Sequence, residues 1–310
     1  MTKLNQTNQI SKCLITGGNG YLGKHISESL TAQNYDVHSL GISEHNHYSF
    51  DISVGIPSLK DEFEVVVHCA GKAHSFPRTV EEEAAFYQVN VKGTENLLKA
   101  LEQAPRLPKS FVFLSSVSVY GLNEGLSVSE DAPLLSKYPY GLSKIKAEQL
   151  IRNWCEERHI SCLILRLPLL AGKNPPGNLK LMIDGIKQGY YFNITKEVVR
   201  KSIVMAADVA RMIPSSLQVG GTYNLTDGYH PSFQEIADLI ADQLGKRRPR
   251  SLPWWLYRLV KILANKLKFI SPVNAYKFEK LSSTLTFDDS KARKTLGWNP
   301  EKVLDKFEIE

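Results

Sequence analysis

The chain has 310 residues, 43% of them hydrophobic and 23% charged, and a formal net charge of +6. That length is enough to bury a large core, in one large domain or two joined ones. No apolar run reaches the roughly eighteen residues that would suggest a spanning helix, and residues 1–11 are polar, without the apolar core of a secretion signal. Cytoplasmic residence is therefore expected. Much of the charge is local: residues 246–285 carry ten Lys or Arg and a single acid, Glu279. No nucleic-acid motif accompanies them, so nucleic acid is not expected as a partner, and an anionic small ligand or a lipid surface would suit the stretch equally well.

Taken in order, the chain opens with a short apolar strand, Lys12–Thr16, and the glycine turn Gly17-Gly18-Asn19-Gly20-Tyr21-Leu22-Gly23 follows at once. A helical pattern covers 24–32. Strand, spaced glycines and helix in that order form a dinucleotide fingerprint. Gly17 serves the tight turn, Gly20 the close approach of backbone to pyrophosphate, and Gly23 the packing of helix on strand. The backbone at Tyr21 and Leu22 then lies at a helix N-terminus, a ready site for phosphate. The second strand, 36–40, is expected to end in an acid that holds the adenosine ribose, but Gly41 stands there, followed by Ile42 and Ser43. The choice between NAD and NADP stays open on this ground. Asp51 and Ile52 follow the next short strand, within reach of an adenine edge.

Val65-Val66-Val67-His68-Cys69-Ala70-Gly71 is a buried strand running into small residues, and Ala70 and Gly71 leave room for a cofactor at the strand's end. Asn90 opens a helix over 95–104. A strand over 110–115 leads into Ser115-Ser116, and Val119-Tyr120-Gly121 comes just after. A helix from Tyr140 to about Arg158 carries Tyr140 and Lys144 four residues apart, on one face. An ammonium so placed is expected to lower the phenol's pKa toward neutrality, where it can exchange a proton with a sugar hydroxyl. Ser161–Leu167 is the next strand. Beyond Pro168 come a loop, a helix over 179–188, a strand over 197–205, another over 222–225 and a helix over 232–244.

The alternation of strand and helix predicts an α/β fold, a Rossmann-type doubly wound parallel sheet with a smaller C-terminal substrate lobe. Residues 1–170 are expected to form the dinucleotide domain, with returning strands from about 197–228, and 171–310 mainly the lobe. The four cysteines, Cys13, Cys69, Cys155 and Cys162, form no Cys-x-x-Cys pair and read as reduced, buried small side chains. His45 and His47 read as loop residues, and no metal site is expected. Residues 253–268 place aromatics, aliphatics and cations at helical spacing. They suit a helix of the substrate lobe, or one lying at the inner membrane surface.

These motifs together resemble the extended short-chain dehydrogenase/reductase family, in its NAD-dependent epimerase/dehydratase branch acting on nucleotide sugars. The resemblance rests on Thr16 to Gly23, His68 to Gly71, Asn90-Val91-Lys92-Gly93-Thr94, Ser115-Ser116, Val119-Tyr120-Gly121, Tyr140 with Lys144, Arg166-Leu167-Pro168 and Leu296-Gly297-Trp298. It implies that Tyr140 is the acid/base and that Lys144 tunes it and binds the nicotinamide ribose. Ser116 holds the reacting sugar oxygen, and Ser115 is more buried in the strand end. Gly17, Gly20, Tyr21, Leu22, Gly23, Asp51, Ile52, Ala70, Gly71 and Asn90 would hold NAD or NADP. Asn178, Leu179, Arg200 and Lys201 would meet the nucleotide diphosphate.

Departures from the family narrow the chemistry. Val117 and Ser118 replace the Asp-Glu pair of sugar dehydratases, and Leu169 replaces the Asn of galactose 4-epimerases. What the resemblance implies is hydride chemistry at C4, as a 4-epimerase or as a 4-keto-6-deoxy sugar reductase, in a homodimer. A non-catalytic cofactor-sensing protein, which usually loses the tyrosine, fits less well.

Overall fold

The computed structural model describes residues 11–73, 77, 79–193, 199–251 and 283–309. The 253–268 segment lies outside them. The first strand, β1 (Lys12–Thr16), shows how the fold is specified. Its side chains alternate, with Cys13 and Ile15 entering one core cluster and Leu14 the other, as the two-residue period of a strand requires. Both sets are apolar because helices cover both faces of the sheet.

On the first face lie α1 (Tyr21–Ala32) and α6 (Ala206–Ser216), packed through Ile26, Leu30, Val209 and Ile213. On the second lie α3 (Gly93–Gln103) and α4 (Pro139–Glu157), packed through Leu97, Leu101, Ala147, Ile151 and Trp154. A core side chain of this kind, fully buried, contributes about 1.5–3 kcal/mol.

The strands β2 (Asp36–Gly41), β3 (Tyr48–Ser49), β4 (Val65–His68), β5 (Ser110–Ser116), β7 (Ser161–Leu167) and β10 (Gly221–Asn224) complete the main sheet. Their order is β10-β7-β5-β4-β1-β2-β3, parallel throughout. Helix α2 (Val80–Tyr87), unforeseen in the sequence, runs through a π-turn at Gln88–Lys92 into α3. It starts from Thr79, whose side chain accepts the Glu82 N–H as an N-cap.

Among the returning segments, β10 joins the main sheet. The strand expected over 197–205 does not: it is the short β9 (Ile203–Met205), paired with β8 (Leu169–Ala171) in a separate ladder. Above that ladder α5 (Gly177–Gln188), α7 (Phe233–Gln243) and α9 (Val303–Lys306) enclose their own cluster around Leu179, Met182, Ile203, Ile236, Ile240 and Phe307. A third ladder joins β6 (Gly125–Val128) to β11 (Leu285–Phe287), followed by α8 (Ser290–Leu296). Among the described residues no helix is long and apolar enough to cross a membrane. The four cysteines are free, with Cys13 and Cys155 buried and Cys69 and Cys162 half-buried.

Candidate active site

The glycine turn is fastened to its surroundings by backbone. Gly17 N donates to Leu40 O at 3.0 Å, and Gly20 N to Gly17 O at 2.9 Å. A side chain at Gly23 would collide with Gly17 O and stand 2.9 Å from Gly18 Cα, so only glycine lets α1 begin this close to the turn. Helix α1 starts without a side-chain cap. Its first N–H groups and positive dipole end are thus left for an anion. The arrangement fits a dinucleotide pyrophosphate. Leu22 is buried beneath it, and the Tyr21 hydroxyl lies buried against Gly172, with burial raising its pKa to about 12.

Below the turn a one-way hydrogen-bond chain runs across the ends of β1 and β4. Ala70 N donates to Thr16 Oγ1 (3.2 Å), Thr16 lies 2.6 Å from His68 Nδ1, His68 Nε2 lies 2.9 Å from Thr94 Oγ1, and Thr94 donates to Asn90 O (2.7 Å). Because Thr94 spends its proton on a carbonyl, His68 must donate from Nε2 and accept at Nδ1. Burial, with Lys144 adding to it, pulls His68 down to about 3 from an ordinary 6.5, so the ring is neutral. The Asn90 amide continues the path. It holds Lys72 through both backbone groups, at 2.6 and 3.1 Å, and donates to Ser143 Oγ at 2.8 Å. Ser143 in turn donates to Tyr140 O at 2.7 Å. The glycine turn and the Tyr140 turn are therefore one connected polar frame.

Tyr140 and Lys144 occupy the first two turns of α4. A Cβ at Gly141 would collide with Ser136 Oγ and stand 2.6 Å from Ser118 O, so glycine is what seats the helix start on the Ser116 turn. Ser116 caps that turn, accepting the Ser118 N–H at 3.2 Å, and hydrogen-bonds the Tyr140 phenol. Ser115 points the other way, donating to Glu148 Oε1 at 2.5 Å. Lys144 is 5% exposed. Its ammonium donates to Leu114 O at 2.8 Å and sits 4.5 Å above the Phe113 ring. A Cβ at Gly71 would meet Asn90 Oδ1 at 3.1 Å and Lys144 Nζ at 3.4 Å, which brings these three residues together.

One expectation is corrected here. The Tyr140 pKa does not fall toward neutrality: burial raises it, and the Ser116 hydrogen bond only partly offsets this. The ammonium's energy goes to Leu114 O and the Phe113 face instead. Lys144 itself is pushed by burial down to about 8 from an ordinary 10.5.

The remaining residues lie further out. Asp51 is exposed and accepts the Ser53 N–H at 2.8 Å, while Ile52 is buried and its carbonyl takes the Asn96 amide at 2.7 Å. Asn178 and Leu179 begin α5 and line a cavity of about 200 Å³ between α5 and α7. Arg200 turns to His230 O (3.0 Å) and Glu235 (3.6 Å), whereas Lys201 is 7% exposed.

Three residues escaped the sequence reading. Asn46, buried, accepts from Asn19 Nδ2 at 3.2 Å and packs behind Gly41 at the end of β2. Glu148 lies beneath the Ser115–Ser116 strand end, paired with Arg166 at 2.8 Å. Asn193 lines the α5–α7 cavity. Only Glu148 left a signal, as an acid eight residues after Tyr140 on the helix's inward face.

Strand order, glycine turn and the Ser–Tyr–Lys grouping are those of an extended short-chain dehydrogenase/reductase. A model of the NAD dependent epimerase/dehydratase family matches residues 13–225, and the chain belongs to that family. Among curated proteins it is 28% identical to a UDP-glucose 4-epimerase of Vibrio cholerae, across 94% of this chain and 91% of that one. It is 26% identical to a GDP-6-deoxy-D-mannose reductase of Pseudomonas aeruginosa, across 74% and 79%. Among solved structures, UDP-glucose 4-epimerase from Bifidobacterium longum with NAD+ and UDP superposes with a TM-score of 0.72 at 20% identity, covering 96% of each chain.

Proposed function

We propose that the chain is a nucleotide-sugar 4-epimerase in which Tyr140 is the acid/base at the C4 oxygen. The observation that carries this is that the end of β5 and the first turns of α4 bring Ser116, Tyr140 and Lys144 together, joined through Ser143 and Asn90 to the hydrogen-bond chain beneath the glycine turn. Gly17, Gly20, Tyr21, Leu22 and Gly23 would take the pyrophosphate of NAD or NADP. Asp51 and Ile52 would take its adenine side, and Ala70, Gly71, Asn90 and Lys144 its nicotinamide end. The nicotinamide supplies reversible hydride exchange at C4 when bound.

The chain's own part is proton handling. Ser116 holds the C4 oxygen and Tyr140 removes or returns its proton, with charge on that oxygen stabilised by both. The Lys144 ammonium would hold the nicotinamide ribose. Asn178, Leu179, Lys201 and Arg200 would meet the nucleotide diphosphate. The exposed apolar residues Val80, Tyr87 and Leu142 on α2 and α4 offer a face for the second copy of a homodimer.

A second reading, reduction of a 4-keto-6-deoxy nucleotide sugar, is favoured by the end of β2. Gly41 and Asn46 put no carboxylate where a retained NAD would bond its ribose, which suits a cofactor that exchanges. The test is to incubate the purified chain with UDP-glucose, UDP-GlcNAc and 4-keto-6-deoxy derivatives while following absorbance at 340 nm. Epimerisation without net cofactor change supports the first reading, and stoichiometric oxidation of reduced cofactor the second. Tyr140→Phe is expected to abolish either activity, by about 10²-fold or more, with cofactor affinity retained. Near wild-type activity in that variant removes the assignment.

A further inference from the structure

At the amino edge of the sheet, away from the Ser116–Tyr140–Lys144 grouping, two thiols are in contact. Helix α4 ends at Glu157, and β7 begins four residues later at Ser161. The connection doubles back tightly, with the Cys155 carbonyl accepting the Ile160 N–H at 2.9 Å and the Arg158 N–H at 3.3 Å. Cys155, on the last helical turn, and Cys162, at the start of the strand, therefore meet in the core cluster that also holds Trp154 and Ile160. Cys155 lies fifteen residues after Tyr140, about 22 Å along the helix.

The two cysteines are not equivalent. The Cys155 thiol donates to the Cys162 sulfur. That bond holds Cys162 below the ordinary thiol range against its burial, and the Arg152 guanidinium adds to the effect while Glu148 opposes it. Cys155 is pushed up by the same bond and by burial. Access runs the same way, since Cys162 is half-buried and Cys155 fully buried. A sulfur inclined to the thiolate and open to solvent is the one that peroxide attacks, and a second thiol beside it is placed to resolve the product. Cys13 and Cys69 differ on both counts. Cys13 is fully buried, and burial pushes both thiols up, Cys69 to about 12.

We propose that Cys162 and Cys155 form an oxidation site, at which hydrogen peroxide converts Cys162 to a sulfenic acid and Cys155 closes it to a disulfide. In the first step the Cys162 sulfur attacks peroxide, a sulfur–oxygen bond forms, the oxygen–oxygen bond breaks and one water leaves. In the second, the Cys155 sulfur attacks the Cys162 sulfur, a sulfur–sulfur bond forms and the sulfur–oxygen bond breaks. The Cys155 proton goes out with the second water. Each sulfur gives up one electron, and peroxide is reduced to two waters. The bond ties the end of α4 to β7 by closing a loop from Cys155 to Cys162.

The test treats the full chain with a few equivalents of hydrogen peroxide, then denatures it in iodoacetamide and digests it with trypsin. Cleavage after Arg152, Arg158 and Arg166 puts the two cysteines in separate peptides, 153–158 and 159–166. They are expected to appear as one joined species that dithiothreitol separates, while Cys13 and Cys69 remain alkylated thiols. In Cys155→Ser, whose hydroxyl can still donate to Cys162, oxidation should stop at a sulfenic acid that dimedone traps. In Cys162→Ser, Cys155 should stay reduced. Before oxidation, N-ethylmaleimide at pH 7 should label Cys162 in the native chain about tenfold or more faster than Cys155 or Cys13, each pKa unit being tenfold in thiolate. Peptides that never join, Cys13 or Cys69 oxidising first, or equal labelling of Cys162 and Cys155 overturns the proposal. Should a serine variant fail to fold, the joined peptides of the wild type decide. None of these readouts involves a nucleotide or a sugar, so the result stands apart from the functional reading.

Discussion

Lys144 carries a cost that the proposed contact with a cofactor ribose would explain. Burial lowers its pKa from 10.5 to about 8, equivalent to about 3 kcal/mol against the folded state when the amine is charged. Between those values the unfolded chain keeps a proton on this amine that the folded chain has lost, so stability rises with pH from about 8 to 10.5. Lys144→Met should remove the penalty. We expect a variant without activity but more stable at pH 7 by up to about 3 kcal/mol, the lost bond to Leu114 O reducing the gain. Urea titrations at pH 7 and 9.5 check this: the wild type should close the gap at the higher pH, and a variant less stable at both excludes it.

At the end of β2, where the proposed cofactor's adenosine ribose would lie, Gly41→Asp would place a carboxylate beside the Asn46 amide, which a Cβ meets at 3.2 Å. Fluorescence titration should then show affinity for NAD+ over NADP+ rising by about tenfold, as charge repels the 2′-phosphate. An unchanged ratio would show that this edge does not meet the ribose. Residue identity made Tyr140, Lys144 and Ser116 legible in the sequence, because their spacing on a helix and a strand end is local. The direction of the Tyr140 shift was not legible. A four-carbon lysine stem can turn to any acceptor, and Leu114 O lies thirty residues away in sequence. Asn46 and Asn193 were hidden for the same reason, their meaning lying in partners distant along the chain.

At the scale of elements, α4 is held by two devices. Gly141 seats its first turn on the Ser116 turn, and Glu148 anchors its middle. Glu148 takes Arg166 through both oxygens, at 3.1 and 2.8 Å, and Arg166 passes on to Tyr120 OH at 3.1 Å, which donates to Asn224 at 2.7 Å. The pair thus ties α4 to β7, β5 and β10 at the carboxyl edge of the sheet. Both members are almost fully buried. Glu148→Gln leaves the guanidinium uncompensated and should cost about 3–5 kcal/mol. The joint change Glu148→Leu with Arg166→Met should cost clearly less, since no lone charge remains. Equal thermal shifts for the single and double variants would mean that the pair is not what anchors the helix.

For the molecule as a whole, the sheet was readable because strands buried on both faces are continuous apolar runs, as in Val65-Val66-Val67 and Phe111-Val112-Phe113. The lobe was less so. Its strands β8 and β9 have three residues each, too short for a period to show, and α2 opens on a run of three glutamates with only Phe86 buried. What unifies the described structure is the polar frame beneath the glycine turn, and its centre, His68, links β1, β4 and α3 through side chains. That gives the frame a signature in acid. The folded ring protonates only near pH 3, against an ordinary 6.5, so the unfolded chain binds the extra proton between these values and stability falls as pH drops through 6.5. At pH 5 the loss from this one group is about 2 kcal/mol, or 1.36 kcal/mol per unit over roughly 1.5 units. Carboxylates add their own losses to any variant alike, so the comparison isolates the ring. His68→Gln can keep one donor and one acceptor, and it should start less stable at pH 7 but lose about 2 kcal/mol less than the wild type between pH 7 and 5. Parallel losses in the two proteins, measured by urea unfolding, would show that the buried imidazole is not the acid-sensitive joint of the frame.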